Sequence, residues 1–239
     1  MVVEAGRDGF RNAILDQLDP ASVPLIGRGG LQRVQLEAGQ ILNTADTLVT
    51  HLYFPVSCIT SLCIPFRSGA AVEVASVGNE GVVGVNVLLD ATQSYLTTIV
   101  TVPGVAFRSP AEEWRNAINR FPPASAPFGA FARRLVHQIA QLAACNRAHP
   151  LDARLARWLL TAEARLGPGE FRITHESLAT ILGVRRASVS QAIEAFQARG
   201  VLALGRGRIA ILDRSPLEET ACECYDVISR LLDPASRYP

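Results

Sequence analysis

Two adjacent arginines, Arg185 and Arg186, stand where a helix is expected to begin, within the run THESLATILGVRRASVSQAIEAFQARG at residues 174–200. The start of a helix is the positive end of its backbone dipole, so a cation there typically costs about 0.3–1 kcal/mol. Arginine also cannot cap the free N–H groups as Ser, Asp or Asn would. Binding an anionic or acceptor-rich partner offsets that cost, and phosphate or the O6 and N7 edge of guanine fits two guanidinium groups. Ser188, Ser190 and Gln191 follow on the same predicted helix and add hydroxyl and amide groups that can meet a DNA backbone or base edge.

The elements that would hold these side chains are legible around them. Thr174 suits the N-cap of a short helix that places Leu178, Ala179 and Leu182 on one face. Gly183 supplies the turn and Val184 fills the bend, and the next helix buries Val189, Ala192, Ile193 and Phe196. Two helices crossing closely at such a turn make a helix-turn-helix, whose second helix enters the major groove by its leading end. The run VLALGRGRIAILD then gives two short strands around a Gly-Arg-Gly-Arg turn at residues 205–208. That hairpin reads as a wing carrying Arg206 and Arg208. A helical hairpin that binds a protein partner instead is the alternative, and steep salt dependence would distinguish DNA from it.

The chain has 239 residues and a net charge of +1, which conceals an uneven distribution. Residues 1–145 hold ten Arg and eleven acids, residues 146–214 eleven Arg and six acids, and residues 215–239 two Arg and five acids. The central block is therefore +5, the sign a nucleic-acid surface needs. Every one of the 23 basic residues is Arg.

Upstream, residues 31–108 read as short strands, among them LQRVQLEAGQIL, HLYFPVSCITSLCI, AVEVASV and YLTTIVTVPGVAFR, which indicate a barrel or sandwich. A short amphipathic segment, FRNAILDQL, precedes them. A helix is expected from Pro110, then a breaker, FPPASAP, then a helix over residues 128–146. Its apolar stripe, Phe128, Phe131, Leu135, Ile139 and Leu142, suits either core packing or a dimer seam, and periodicity does not choose between them. Pro150 and Gly167 bracket another helix, and PLEETACECYDVISRLL closes the chain as an amphipathic stretch.

The run ITHESLATILGVRRASVSQAIEAFQARGVLALGRGRIAIL resembles the winged-helix domain of the CRP/FNR superfamily of bacterial transcription regulators. The order of parts is similar too, with a β-rich region, a long helix and then the winged helix. The resemblance implies an α+β protein: a cyclic-nucleotide-binding-like β-roll (jelly roll) at 1–122, a dimerisation helix at 123–147 and a winged helix-turn-helix at 148–239. It also implies a homodimer joined through the 128–146 stripe, a palindromic operator in double-stranded DNA, and RNA polymerase as a partner. Arg186 matches the family's guanine-reading arginine, and Thr174 and His175 match positions that approach the DNA backbone. Ala187 replaces the glutamate usual beside that arginine, and Gln191 replaces a later base-reading arginine, so the operator sequence should differ, with Gln favouring adenine.

Members of that superfamily that bind cyclic AMP carry a Gly-Glu pair and, some ten residues on, an Arg followed by Ser/Thr and a small residue. Here the corresponding positions are Gly84-Val85 and Gln93-Ser94-Tyr95. Valine cannot accept a ribose hydroxyl bond and glutamine brings no charge to the phosphate. An effector other than cyclic AMP, or none, is expected, with no cofactor. The oxygen-sensing branch uses an N-terminal cysteine cluster, whereas the first cysteine here is Cys58, so that iron–sulfur site lacks its ligands. Cys222 and Cys224 form a pair, yet two thiols do not complete a metal site, and His51, His137, His149 and His175 are dispersed. No metal is therefore expected. Walker A, G-x-S-x-G, H-E-x-x-H and Rossmann patterns are missing, and the Gly-Arg-Gly-Gly run at 27–30 lacks a phosphate loop's Lys-Ser/Thr, so no enzyme is expected. With no signal-peptide pattern in MVVEAGRDGF and no long apolar run, the expectation is a cytoplasmic protein without membrane contact.

Overall fold

The computed structural model describes residues 11–18, 30–89 and 93–233. The Gly-Arg-Gly-Gly run thus lies, but for Gly30, outside the described residues. The chain divides into two compact units, Met1–Leu62 with Ser76–Val136, and Cys63–Ala75 with His137–Pro239. The division falls within the long helix, not at the breaker before it.

The first unit is rich in antiparallel sheet. Strands β1 (Gln32–Leu36), β4 (His51–Pro55) and β9 (Gly104–Pro110) form one sheet in the order β1-β9-β4. Strands β2 (Ile41–Asn43), β5 (Ile59–Pro65), β6 (Ala71–Val77) and β8 (Thr97–Val102) form another in the order β2-β8-β5-β6, the outer parts of β5 and β6 passing into the second unit. The short β3 (Thr47–Leu48) and β7 (Gln93–Ser94) pair separately. Leu36, Cys58, Val100 and Ala106 meet between strands as one buried cluster. A single helical turn, α1 (Ala13–Asp16), is docked by Asn12, whose side chain donates to the carbonyls of Pro55 at 2.8 Å and Gly81 at 2.9 Å. Its Oδ1 accepts from the amides of Ile14 and Leu15, so this wholly buried amide is satisfied.

Helix α2 (Ala111–Arg120) follows β9 directly, with Pro110 at its N-cap and Glu112 and Glu113 in its first turn. The breaker forms a 3₁₀ turn, Pro122–Ser125, and α3 then runs Ala126–Ala148. Trp114 of α2 and Phe128 of α3 close over Phe54 of β4, with ring centroids 5.0 Å (Phe54–Trp114), 5.3 Å (Trp114–Phe128) and 6.4 Å (Phe54–Phe128) apart. Gly81 has no side chain because the Phe131 ring occupies the space a Cβ would need.

Three of the five residues expected at the dimer seam are already covered within the chain. Phe128, Phe131 and Leu142 are 1–3% exposed within one chain and have almost no area left for a partner. Leu135 and Ile139 are half-buried. The outward face of α3 instead presents Val136, 64% exposed, with exposed Ala140, Ala143 and Ala144.

In the second unit α4 (Leu151–Leu166) is the core element, with Leu155, Leu159 and Leu160 fully buried and Trp158 packed on Phe171. Pro150 is its N-cap and Gly167, at φ +85°, ends it. Three elements carry the expected site: α5 (His175–Leu182), α6 (Arg186–Ala198) and the strands β11 (Leu202–Gly205) and β12 (Arg208–Ile211). A third strand, β10 (Glu170–Arg172), pairs with β12 and makes the sheet order β10-β12-β11. The amphipathic end of the chain forms two helices, α7 (Ser215–Thr220) and α8 (Cys224–Leu232).

Candidate nucleic-acid interface

The two helices of the expected motif begin differently. The Oγ1 of Thr174 accepts from the Ser177 amide at 3.0 Å, and Glu176 lies in the first turn, so α5 has both a cap and an acid. Helix α6 has neither. Its N-cap is Arg185, in extended backbone at φ −72° and ψ 144°, with no side-chain cap bond and no acid in the first turn. Between them Gly183 adopts φ +64°, a left-handed conformation that glycine takes without a Cβ penalty. The Val184 amide closes the turn on the Ala179 carbonyl at 3.1 Å.

The pair is held by a compact apolar contact. Leu178, Ala179, Ile181 and Leu182 of α5 and Val189, Ile193 and Phe196 of α6 are all buried, while Ala192 is half-buried. That leaves Arg185, Arg186, Ala187 and Gln191 exposed on the opposite side and Ser188 half-exposed. His175 and Ser190 bind each other across the two helices, Nδ1 to Oγ at 2.8 Å. Ser190, expected to reach DNA, therefore has its hydroxyl engaged in fixing the helix angle.

The wing stands beside this surface. Arg206 and Gly207, at φ +68°, form its tip, and Arg206 is exposed. Arg208, which pairs with Gly205 next to the tip, is ion-paired with Glu170 of β10. A cleft of about 370 Å³ opens between them, lined by Thr174, His175 and Arg186 on the helical side and by Gly205, Gly207 and Arg208 on the wing. Four of the expected residues thus share one cleft, with Arg185, Ser188 and Gln191 on the adjoining exposed helix surface and Arg206 at the wing tip.

In the first unit Gly84, at φ +89°, introduces a 3₁₀ turn, Val85–Leu88, with Val85 and Val87 buried. A cavity of about 350 Å³ lies there, lined by Leu62, Val82, Val83, Val85, Leu96 and Leu135, with Asn43, Gln93, Ser94, Tyr95 and Thr98 at its polar parts. No described lining residue is charged. The Ser94 hydroxyl donates to the Leu96 carbonyl at 2.7 Å and accepts its amide at 3.2 Å.

The expectation that Cys222 and Cys224 lack further metal donors is corrected. Cys145, near the end of α3, and His149, just beyond it, come together with Cys222 and Cys224, and their four donor atoms all lie within 4.8 Å of one another. The cysteines are buried. A sequence signal did exist, because Cys145 and His149 are four residues apart and share a helical face.

Residues 153–220 match the Crp-like helix-turn-helix domain family. No curated protein sequence matches the chain. Solved structures similar to it include a putative transcriptional regulator of the CRP/FNR family from Eubacterium rectale ATCC 33656, at 24% identity and a TM-score of 0.62. That likeness covers 86% of this chain and 95% of the other. FixK2 from Bradyrhizobium japonicum is similar at 15% identity and a TM-score of 0.69, over 80% of this chain and 98% of its own. The c-di-GMP responsive global regulator CLP of Xanthomonas campestris is similar at 12% identity and a TM-score of 0.62, over 82% and 100%. No helix among the described residues is long and apolar enough to cross a membrane. Residues 153–220 are therefore a Crp-like helix-turn-helix domain, within a chain that has the fold of the CRP/FNR-family transcriptional regulators.

Proposed function

We propose that the chain is a sequence-specific DNA-binding transcription regulator that acts as a homodimer on a two-fold symmetric operator. The observation that carries this reading is the N-terminus of α6, which is uncapped, without an acid, and faced by exposed Arg185 and Arg186. Such an end has free N–H groups, a positive dipole and two fixed cations, all of which favour phosphate and guanine acceptors. Arg186, within the cleft, reads a base, while Arg185 and wing residue Arg206 meet phosphates. Thr174 and His175 approach the backbone, and Ser188 and Gln191 complete the contact surface. Arg208 contributes less because Glu170 already holds it.

The dimer forms through the outward stripe of α3 around Val136 and Ala140, where small residues let two helices approach closely. RNA polymerase is a further partner of a regulator of this type. The effector, where one exists, is an uncharged and largely apolar molecule in the cavity beside Val85 and Leu135, because nothing in its described lining meets a phosphate. No cofactor is needed for DNA binding.

Selection of bound sequences from random duplex DNA tests the reading. The enriched sites should contain two half-sites about one helical turn apart, and affinity should fall steeply with added salt. A chain that enriches no sequence, or whose binding ignores salt, overturns it.

A further inference from the structure

We infer that Cys145, His149, Cys222 and Cys224 form a closed tetrahedral site for one zinc ion, which fastens the end of α3 to the start of α8.

The spacing of the donor atoms is that of a single ion. Zinc–thiolate bonds of about 2.3 Å in a tetrahedron place neighbouring ligand atoms about 3.8 Å apart. Here the Cys145 and Cys222 sulfurs are 3.5 Å apart, and the Cys224 sulfur is 3.8 Å from His149 Nδ1. A polynuclear iron–sulfur cluster holds its outer thiolates on different irons and needs more room. All four positions come from the protein and the three thiols are buried, so no coordination place is left open for a reacting water.

The surroundings favour a metal independently of the donors. His149 turns Nδ1 toward the thiols and Nε2 toward Glu223, whose Oε1 is 3.2 Å away. A carboxylate on the far nitrogen of the ring is how a metal-binding histidine is fixed in the tautomer that leaves its ligand nitrogen free. Gln141 Nε2 donates to the Cys224 sulfur at 3.0 Å, as an amide would to a metal-bound thiolate.

Charge supplies a third argument. Arg154 and Arg157 of α4 are buried beside this cluster, their positive charges acting on Cys145, and neither has a carboxylate within ion-pair reach among the described residues. The Nε of each has no hydrogen-bond partner. Buried cations need a counter-charge. Three thiolates and a neutral imidazole around Zn²⁺ carry a net charge of −1, which neutral thiols would not provide.

The test uses the full chain, purified under reductant without chelator after growth with added zinc. Elemental analysis should find one zinc per chain. The Co²⁺-substituted protein should show the visible bands of a tetrahedral ion together with thiolate-to-metal charge transfer. The double variant Cys222→Ser/Cys224→Ser should lose the zinc, and Cys58→Ala should retain it. His149→Cys should keep one metal and strengthen the charge-transfer band, a gain that holds even if the serine variant fails to fold. Stoichiometric zinc that survives in a folded Cys222→Ser/Cys224→Ser variant overturns the inference, as does a sulfide-containing iron chromophore. A Cys145–Cys222 disulfide in metal-free protein, or reduced wild type that binds neither zinc nor Co²⁺, overturns it equally.

Discussion

Replacing Arg185 with Ser should make the protein more stable and a weaker DNA binder. Arg185 is the N-cap of α6, its backbone already has the extended conformation of a cap, and its side chain caps nothing. A serine there can accept from a first-turn amide, a contact worth about 1 kcal/mol. Removing the cation from the positive helix end returns a further 0.3–1 kcal/mol or so. The two gains involve different atoms and should add to roughly 1–2 kcal/mol, whereas Arg185→Ala should recover only the charge part. Urea unfolding of wild type, Arg185→Ala and Arg185→Ser measures both, since the serine–alanine difference isolates the cap. The same variants titrated with a selected operator at several salt concentrations should show a log–log salt slope lower by about one unit, the signature of one lost phosphate contact. A serine variant no more stable than wild type, or an unchanged salt slope, refutes the reasoning.

Other predictions concern single contacts. Val136→Glu should yield a folded monomer at micromolar concentration by sedimentation, whereas Phe131→Ala should unfold the first unit more easily by about 3–5 kcal/mol, since Phe131 is core. A dimeric Val136→Glu protein would move the seam elsewhere. Cyclic AMP should give no specific heat in calorimetry, and micromolar affinity would contradict the reading of Val85 and Gln93. Arg206→Ala should weaken binding to all sequences alike and more than Arg208→Ala does, because Arg208 is engaged by Glu170. Burial pushes the thiols of Cys58 and Cys63 up to about 12, with Glu73 adding to the effect at Cys63. At pH 8 both are then almost wholly protonated, so iodoacetamide should spare them in the folded chain and label them in urea, as read by mass spectrometry. Rapid labelling of the native protein would show these thiols to be accessible.

The helix-turn-helix was legible because its signals are local. Thr174, Gly183 and the three- and four-residue steps of Leu178, Leu182, Val189, Ile193 and Phe196 all act within a few turns, and the structure places them as the spacing indicates. The long helix shows what periodicity leaves open. Phe128, Phe131 and Leu142 do mark its buried face, but the spacing does not say what covers them. Phe54 and Trp114 cover Phe128, and Phe131 packs against Gly81, all from the same chain. Strand β10 has three residues and exists through pairing with β12, which no local pattern announces. The His175–Ser190 bond likewise depends on the angle between two helices. The Cys145–His149 spacing was visible, but its meeting with Cys222 and Cys224 joins positions over 70 residues apart and is a property of the fold.

The most direct test of the central claim is Arg186→Ala on a selected operator and on each of its single-base variants. The arginine is exposed at the first position of α6 and lines the cleft beside the wing, so the fold should survive its loss. The expected result is a loss of about 1–3 kcal/mol on the selected operator and a relaxed preference at one base pair of each half-site, with the other positions unchanged. An equal loss of affinity on every variant would make Arg186 a backbone contact, and no loss at all would remove α6 from the DNA.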